Sequence, residues 1–224
     1  MIDDDSKMKQ FSSKYFNLIH QQYSGLNLTA IKEFDTFHEQ QVVDSIYPFI
    51  NFPKALNFIN QSSLVIDLGC GGGVPLIPLA WKFPHLEFLG IDSKKKKAIA
   101  VKEMAELLML TNIKTIGERM ERIFVDTPNV SVLVKAVGKI ADVLSYIQSS
   151  EKVRVFFYKG SNWEHLEIAQ SKRIHNNWKL EEIFKMNFSN LGERYLLMYE
   201  GLNRDTKCGK DSILLSTLKN MSGR

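Results

Sequence analysis

The chain has 224 residues, 44% hydrophobic and 24% charged, which excludes collagen-like, disulfide-scaffold and low-complexity classes. A net charge of +4, from 29 basic and 25 acidic side chains, permits an anionic partner such as RNA without demanding one. The first 60 residues read as helical. Phe11, Tyr15, Leu18, Ile19 and Gln22 keep helical spacing. A loop at Gly25 leads through Asn27-Leu28-Thr29-Ala30-Ile31 to a second helix from about Asp35 to Phe49, and Pro53 opens a third running to Asn60. The pattern then changes. Strands are expected at Leu64–Leu68, Leu86–Ile91, Ile113–Gly117, Val130–Val137 and Val153–Tyr158. Helices are expected between them at Pro75–Phe83, Lys94–Leu110 and Ala141–Ile147, and after them at Asn162–His175. This alternation argues for an α/β fold with a mostly parallel sheet. Trp178–Phe188 and Arg194–Glu200 follow without a helix between them, so they form an antiparallel hairpin at the end of the sheet. The organisation is therefore a helical extension over 1–60, one α/β domain over 61–200, and a basic tail over 201–224. Residues 203–224 carry five basic and two acidic side chains and could be a terminal helix or a loose tail.

Two cysteines, Cys70 and Cys208, make neither a metal site nor a disulfide framework by themselves and fit a reducing compartment. The start Met1-Ile2-Asp3-Asp4-Asp5 lacks the basic-then-apolar pattern of a signal peptide. No stretch reaches the roughly 18–20 apolar residues that span a bilayer. The expected location is the cytoplasm, away from membranes.

The chemistry-bearing segment is Asp67-Leu68-Gly69-Cys70-Gly71-Gly72-Gly73-Val74-Pro75. It joins a strand to a helix, the context that gives a glycine run meaning. Glycines there allow a sharp bend and close approach of a ligand to the main chain. Gly69, Gly71 and Gly73 fit G-x-G-x-G better than the dinucleotide spacing G-x-G-x-x-G, whose last position is Val74. With Asp67 ahead of it, the run resembles motif I of class I S-adenosylmethionine-dependent methyltransferases. A dinucleotide brings an anionic pyrophosphate to a helix N-terminus. S-adenosylmethionine brings a sulfonium and an ammonium, which a carboxylate at Asp67 can face. Asp92, at the end of the second strand, is placed to accept hydrogen bonds from both ribose hydroxyls, each worth roughly 1.5–3 kcal/mol. Cys70 has no partner base nearby in sequence, so no nucleophilic role is assigned to it.

Over Asn27 to about Glu200 the chain resembles the bacterial 16S ribosomal RNA guanine-N7 methyltransferase family, also called glucose-inhibited division protein B. The matching elements are Asn27–Ile31, Asp44-Ser45-Ile46, Gly73–Ala80, Lys96-Lys97 after Asp92-Ser93, Leu108–Asn112, Arg119-Met120-Glu121 and Lys159-Gly160. The resemblance implies a Rossmann-like methyltransferase domain with a helical N-terminal extension. It implies S-adenosylmethionine as cofactor, 16S rRNA or the small ribosomal subunit as partner, and N7 of guanine 527 in the 530 loop as the target. It places cofactor contacts on Gly69, Val74, Met120, Glu121 and Lys135. The chain departs from the family at Lys135, where the family has arginine; at Gln40-Gln41, where it has Arg-His; and at Ser149–Lys152, where it has Pro-Gly-Gly. Those departures keep open a methyltransferase acting on another RNA or a small molecule, and a catalytically silent ribosome-assembly factor with the same fold.

Guanine N7 carries a lone pair and no proton, so in-line attack on the sulfonium methyl needs no general base, and no catalytic acid or base is assigned. Positioning is the expected source of rate. Tyr23, Phe37, Tyr146 and Tyr158 are stacking candidates as well as core candidates. Lys94, Lys95, Lys96 and Lys97, directly after Asp92, are the candidate phosphate contacts. Lys172, Arg173, His175 and Lys179 form a second, surface basic cluster.

Overall fold

The computed structural model describes residues 2–171, 177–202, 208–209 and 211–220. Helices α1 (Ile2–Asn17), α2 (Phe34–Phe37), α3 (Asp44–Asn51) and α4 (Pro53–Asn60) precede the first strand. The strands are β1 (Leu64–Leu68), β2 (Phe88–Ile91), β3 (Ile113–Ile116), β4 (Ile123–Val125), β5 (Val130–Lys135), β6 (Gln148–Ser149), β7 (Val153–Gly160), β8 (Trp178–Phe188), β9 (Gly192–Gly201) and β10 (Ile213–Leu214). Between and after them lie α5 (Leu76–Lys82), α6 (Lys95–Leu107), α7 (Ile140–Tyr146), α8 (Trp163–Ser171) and α9 (Leu215–Asn220).

Seven strands form one sheet in the order β3-β2-β1-β5-β7-β9-β8. The pairs from β3 through β7 are parallel, and β7, β9 and β8 pair antiparallel. The expected hairpin is therefore present, with β9 inserted between β7 and β8. After β3 the chain returns past β1 to lay down β5 on its other side. That reversal is the topological switch point, where ligands bind outside the carboxyl ends of the strands.

All five residues of β1 are buried, as expected for a central strand covered on both faces. Side chains alternate between two cores with the period of two that a strand imposes. Val65, Phe156 and Leu196 join one core, with Phe11, Tyr15, Phe37, Ile46, Phe49 and residues of α5 and α6. Ile66, Phe157 and Leu197 join the other, with Val143 and Leu144 of α7 and Leu215 of α9. The residues of the helical extension thus share a core with the sheet.

The chain from Phe34 to Asn51 is one helix broken by a π turn at His38–Val43. Another π turn, Leu18–Gln22, ends the first helix. Neither was expected, because a π turn shifts the helical period by only one residue. Two expected ends moved for local reasons. β5 stops at Lys135, not Val137, because Ala136 takes φ +60. α6 stops at Leu107, not Leu110, just before Met109 at φ +58. α8 is described from Trp163 to Ser171. The rest of that expected helix, with Lys172, Arg173 and His175, lies outside the described residues, while Lys179 is on β8.

The short strands β10, β4 and β6 form a separate parallel sheet. Strands of two or three residues leave no alternation to read in a sequence. The described part of the basic tail includes β10 and α9, and α9 is fixed by Asp126. Its carboxylate accepts from the Ser216 N–H (2.8 Å) and hydroxyl (2.5 Å). Among the described residues no helix is long and apolar enough to cross a membrane.

Candidate active site

The glycine turn leaves β1 at the switch point. Gly69, Gly71 and Gly73 take φ of +71, +53 and +90, a backbone region closed to most side chains. Gly72 is needed for a different reason: a Cβ there would stand 2.6 Å from the Leu28 carbonyl oxygen. The extension therefore presses directly on the turn. Tyr15 adds a tether, its hydroxyl donating to the Gly72 carbonyl at 2.5 Å.

Two carboxylates hold this turn. Asp92 Oδ2 accepts from Gly71 N–H at 2.9 Å, and Oδ1 accepts from Lys94 N–H at 2.8 Å. Each oxygen keeps one acceptor position for another donor. Asp67 Oδ2 accepts from Leu76 N–H at 3.2 Å, whereas its buried Oδ1 has no partner. Burial raises the Asp67 carboxyl to about 7, against the pull of the Leu76 N–H and the Lys135 charge. Cys70 is also buried, and burial pushes its thiol up, with the charges of Asp67 and Asp92 adding to the effect. It is no nucleophile.

A cleft of about 370 Å³ opens above the turn. Of the sequence-derived candidates, Gly69, Gly71, Val74, Asp92, Lys97 and Lys135 line it. Asp67 lies buried beneath, and Gly73 packs against Ile77 and Tyr15. Met120 and Glu121 follow β3 on the same carboxyl edge as Asp92. Met120 is buried and Glu121 exposed, and neither lines the cleft. Lys94, Lys95 and Lys96 are exposed beside it. Sequence reasoning missed Leu28, Gln41 and Ala136 as lining residues. The signal for Leu28 was in hand, since Asn27 before it is an asparagine, a residue that tolerates its φ of +48. Nothing local marks the others.

Of the four stacking candidates, Phe37 lines the cleft and is fully buried in the core, and Tyr158 is buried with its hydroxyl donating to the Ser45 carbonyl at 2.8 Å. Tyr23 donates to Glu103 at 2.9 Å, away from the cleft, and Tyr146 is exposed on α7.

A second cavity, of about 280 Å³, adjoins the cleft. Gln41, Lys135 and Ala136 line both. Lys135 Nζ donates to Asp44 Oδ2 (2.7 Å), the Gln40 carbonyl (2.9 Å) and Ser45 Oγ (3.3 Å). Burial lowers the Lys135 pKa, and the Asp44 charge opposes that fall. Ala136, next along, holds a left-handed backbone that costs a non-glycine residue energy, the kind of strain that clusters at functional sites.

Comparisons with known proteins agree with this architecture. A family model described as rRNA small subunit methyltransferase G matches residues 8–196. The chain is 28% identical over 189 residues to ribosomal RNA small subunit methyltransferase G of Shigella dysenteriae, covering 82% of this chain and 84% of that one. It is 27% identical over 206 residues to the protein of the same name from Pseudothermotoga lettingae, covering 90% and 86%. Among solved structures it is similar to magnesium protoporphyrin IX methyltransferase from Synechocystis with bound S-adenosylmethionine. That likeness has a TM-score of 0.53 at 14% identity and covers 86% of this chain and 96% of that one. At that identity the match speaks for the fold, a class I methyltransferase sheet.

Proposed function

We infer the function from family membership: the chain belongs to the rRNA small subunit methyltransferase G family. It is an S-adenosylmethionine-dependent methyltransferase that acts on ribosomal RNA. We further propose that its substrate is 16S rRNA or the small subunit that contains it, that the acceptor is N7 of the 530-loop guanine at position 527, and that it works in the cytoplasm.

The residues fit the cofactor. The observation that carries the cofactor fit is the partnerless Oδ1 of Asp67, buried under the glycine turn at the switch point. A buried acceptor without a donor is rare in a folded protein, and a cationic ligand or a water beside one would satisfy it. Asp67, Gly69, Gly71, Gly73, Val74 and Asp92 would hold the cofactor, with Lys135, Met120 and Glu121 as the outer contacts that the resemblance suggests. When bound, S-adenosylmethionine supplies an electrophilic methyl group. The chain's own part is positional. The glycine turn offers bare backbone, and Asp92 offers free acceptor positions for hydroxyls. No side chain is asked to take a proton, because N7 has none to give. Lys94, Lys95, Lys96 and Lys97 would meet RNA phosphates beside the cleft.

The test is methyl transfer from labelled S-adenosylmethionine to small subunits that lack the modification, run beside a mixture of small molecules. Label at a guanine N7 of 16S rRNA is expected. Label confined to small molecules would overturn the reading. RNA binding without any transfer would favour a silent assembly factor.

A further inference from the structure

The cavity beside the cleft is lined by the nearly buried carboxylate of Asp44. We propose that this cavity receives the target guanine and that the Asp44 carboxylate reads its Watson–Crick edge; the proposal rests on the guanine reading above.

Position comes first. The cavity of about 280 Å³ is large enough for a purine, and it meets the cofactor cleft at Gln41, Lys135 and Ala136. A guanine seated there can turn N7 toward the cleft. Its N1–H and N2–H groups then point away from the cleft, into the part of the cavity lined by Asp44 and Arg194. Single-stranded loop bases are commonly read along this edge.

The donor and acceptor pattern fits guanine. Asp44 is nearly buried, and Lys135 occupies its Oδ2. Its Oδ1 has Arg194 Nε at 3.9 Å, an ion-pair distance beyond hydrogen bonding. That oxygen has room for base N–H donors. Adenine would present the lone pair of N1 there and be repelled. Arg194 is partly exposed at the mouth, where a guanidinium can donate to O6 or to a phosphate.

Asp44 is also held still. It begins α3, where the π turn ends. The three donors of the Lys135 ammonium are spent on Gln40, Asp44 and Ser45. Ser45 Oγ donates to the Gln41 carbonyl at 2.6 Å, and Tyr158 donates to the Ser45 carbonyl. Lys135 is thus a positioning residue for Asp44. Lysine suits this role, whereas the planar fork of arginine does not match three separated acceptors.

The same carboxylate would accelerate the reaction. The N7 lone pair forms the new N–C bond as the S–C bond breaks, and the electrons of that bond stay on sulfur. The positive charge passes from sulfur to the purine, and no proton moves. A carboxylate bonded to N1–H therefore binds the transition state more tightly than the ground state.

The test uses small subunits reconstituted with 16S rRNA carrying either guanine or inosine at the target; inosine lacks only the 2-amino group. Two quantities are read: methyl transfer, and affinity of the S-adenosylhomocysteine-loaded protein for each particle. The native protein should prefer guanine by about 10- to 100-fold in both, the worth of one lost base contact. Asp44→Asn should cut transfer to guanine by a similar factor and discriminate inosine less than about twofold. Gly160→Met, on the cavity wall, guards against misfolding of that variant. Its added Cβ would lie 3.2 Å from Arg194 Nη1, the movable end of a side chain. It should keep S-adenosylhomocysteine affinity within about twofold and lose particle affinity by more than about tenfold. If the native protein methylates no guanine, the functional reading itself fails. If it methylates guanine but Asp44→Asn still discriminates inosine as the native protein does, or Gly160→Met binds particles normally, the base site lies elsewhere.

Discussion

The cleft and the cavity share a wall but are built differently. The cleft is made of backbone: four glycines in one turn, and two carboxylates that accept from main-chain N–H groups within 25 residues of each other. The cavity is made of side chains from distant segments. Lys135 lies 91 residues from Asp44, and Tyr158 113 from Ser45. A backbone site tolerates changes in its side-chain walls but no change in its glycines. A side-chain site fails when any single member is lost.

The largest expected effect tests the cavity. Lys135→Met leaves Asp44 buried without its hydrogen-bonded cation, and urea unfolding should show a loss of about 3–5 kcal/mol. S-adenosylhomocysteine affinity, governed by the turn, should fall less than about tenfold. The reverse pattern, with intact stability and lost cofactor, would erase the contrast between the two regions.

Second is the pH dependence of the cleft. In the cofactor-free protein Asp67 has a carboxyl raised to about 7 from an ordinary value of 3.8. The folded state then holds a proton that the unfolded chain has released. Its contribution is fully present below about pH 4 and is lost as pH rises through 7. Compared with Asp67→Asn, the native protein should lose on the order of 2–4 kcal/mol between pH 4 and pH 8. Urea midpoints for the two proteins that run parallel across that range would mean that Oδ1 finds a partner in solution.

Third, Asp92→Ala removes acceptors for the ribose and the staple to Gly71. Calorimetry should show about a 10- to 100-fold weaker S-adenosylhomocysteine complex, with the helical signal in circular dichroism unchanged. Unaltered affinity would contradict the ribose assignment. The smallest effects belong to the exposed lysines. Lys94→Ala or Lys96→Ala should each weaken RNA binding about two- to threefold and reduce the salt slope by roughly 0.7–0.9, leaving cofactor binding alone. A lysine whose loss changes no slope touches no phosphate.

The same contrast decides what could be read from the sequence. The α/β order, the terminal hairpin and the glycine turn were all legible, because each rests on a local rule of periodicity or φ. Asn112 is an intermediate case. It stood out only as part of a family element. The fold supplies its reason: its amide lies within 3.0–3.3 Å of the Ala80, Phe83 and Leu86 carbonyls and closes the end of α5 onto β3. The π turn and the two-residue strands were illegible because they barely disturb a period. The cavity was illegible because Asp44, Lys135 and Arg194 share nothing in sequence, and their meeting depends on the start of α3 reaching Lys135 of β5, Tyr158 of β7 and Arg194 of β9.

The hydroxyl of Tyr15 on the Gly72 carbonyl also bears on the order in which this protein comes into being. The helices that carry Tyr15 and Phe37 are synthesised before the turn they rest on, and Gly72 is written 57 residues after Tyr15. Until the chain through the glycine turn has emerged, Tyr15 and Phe37 have only each other and neighbours such as Phe11 and Phe16 to cover them. A nascent chain will therefore expose them for some seconds at ordinary synthesis rates, and the cofactor cleft closes late, when old and new segments meet.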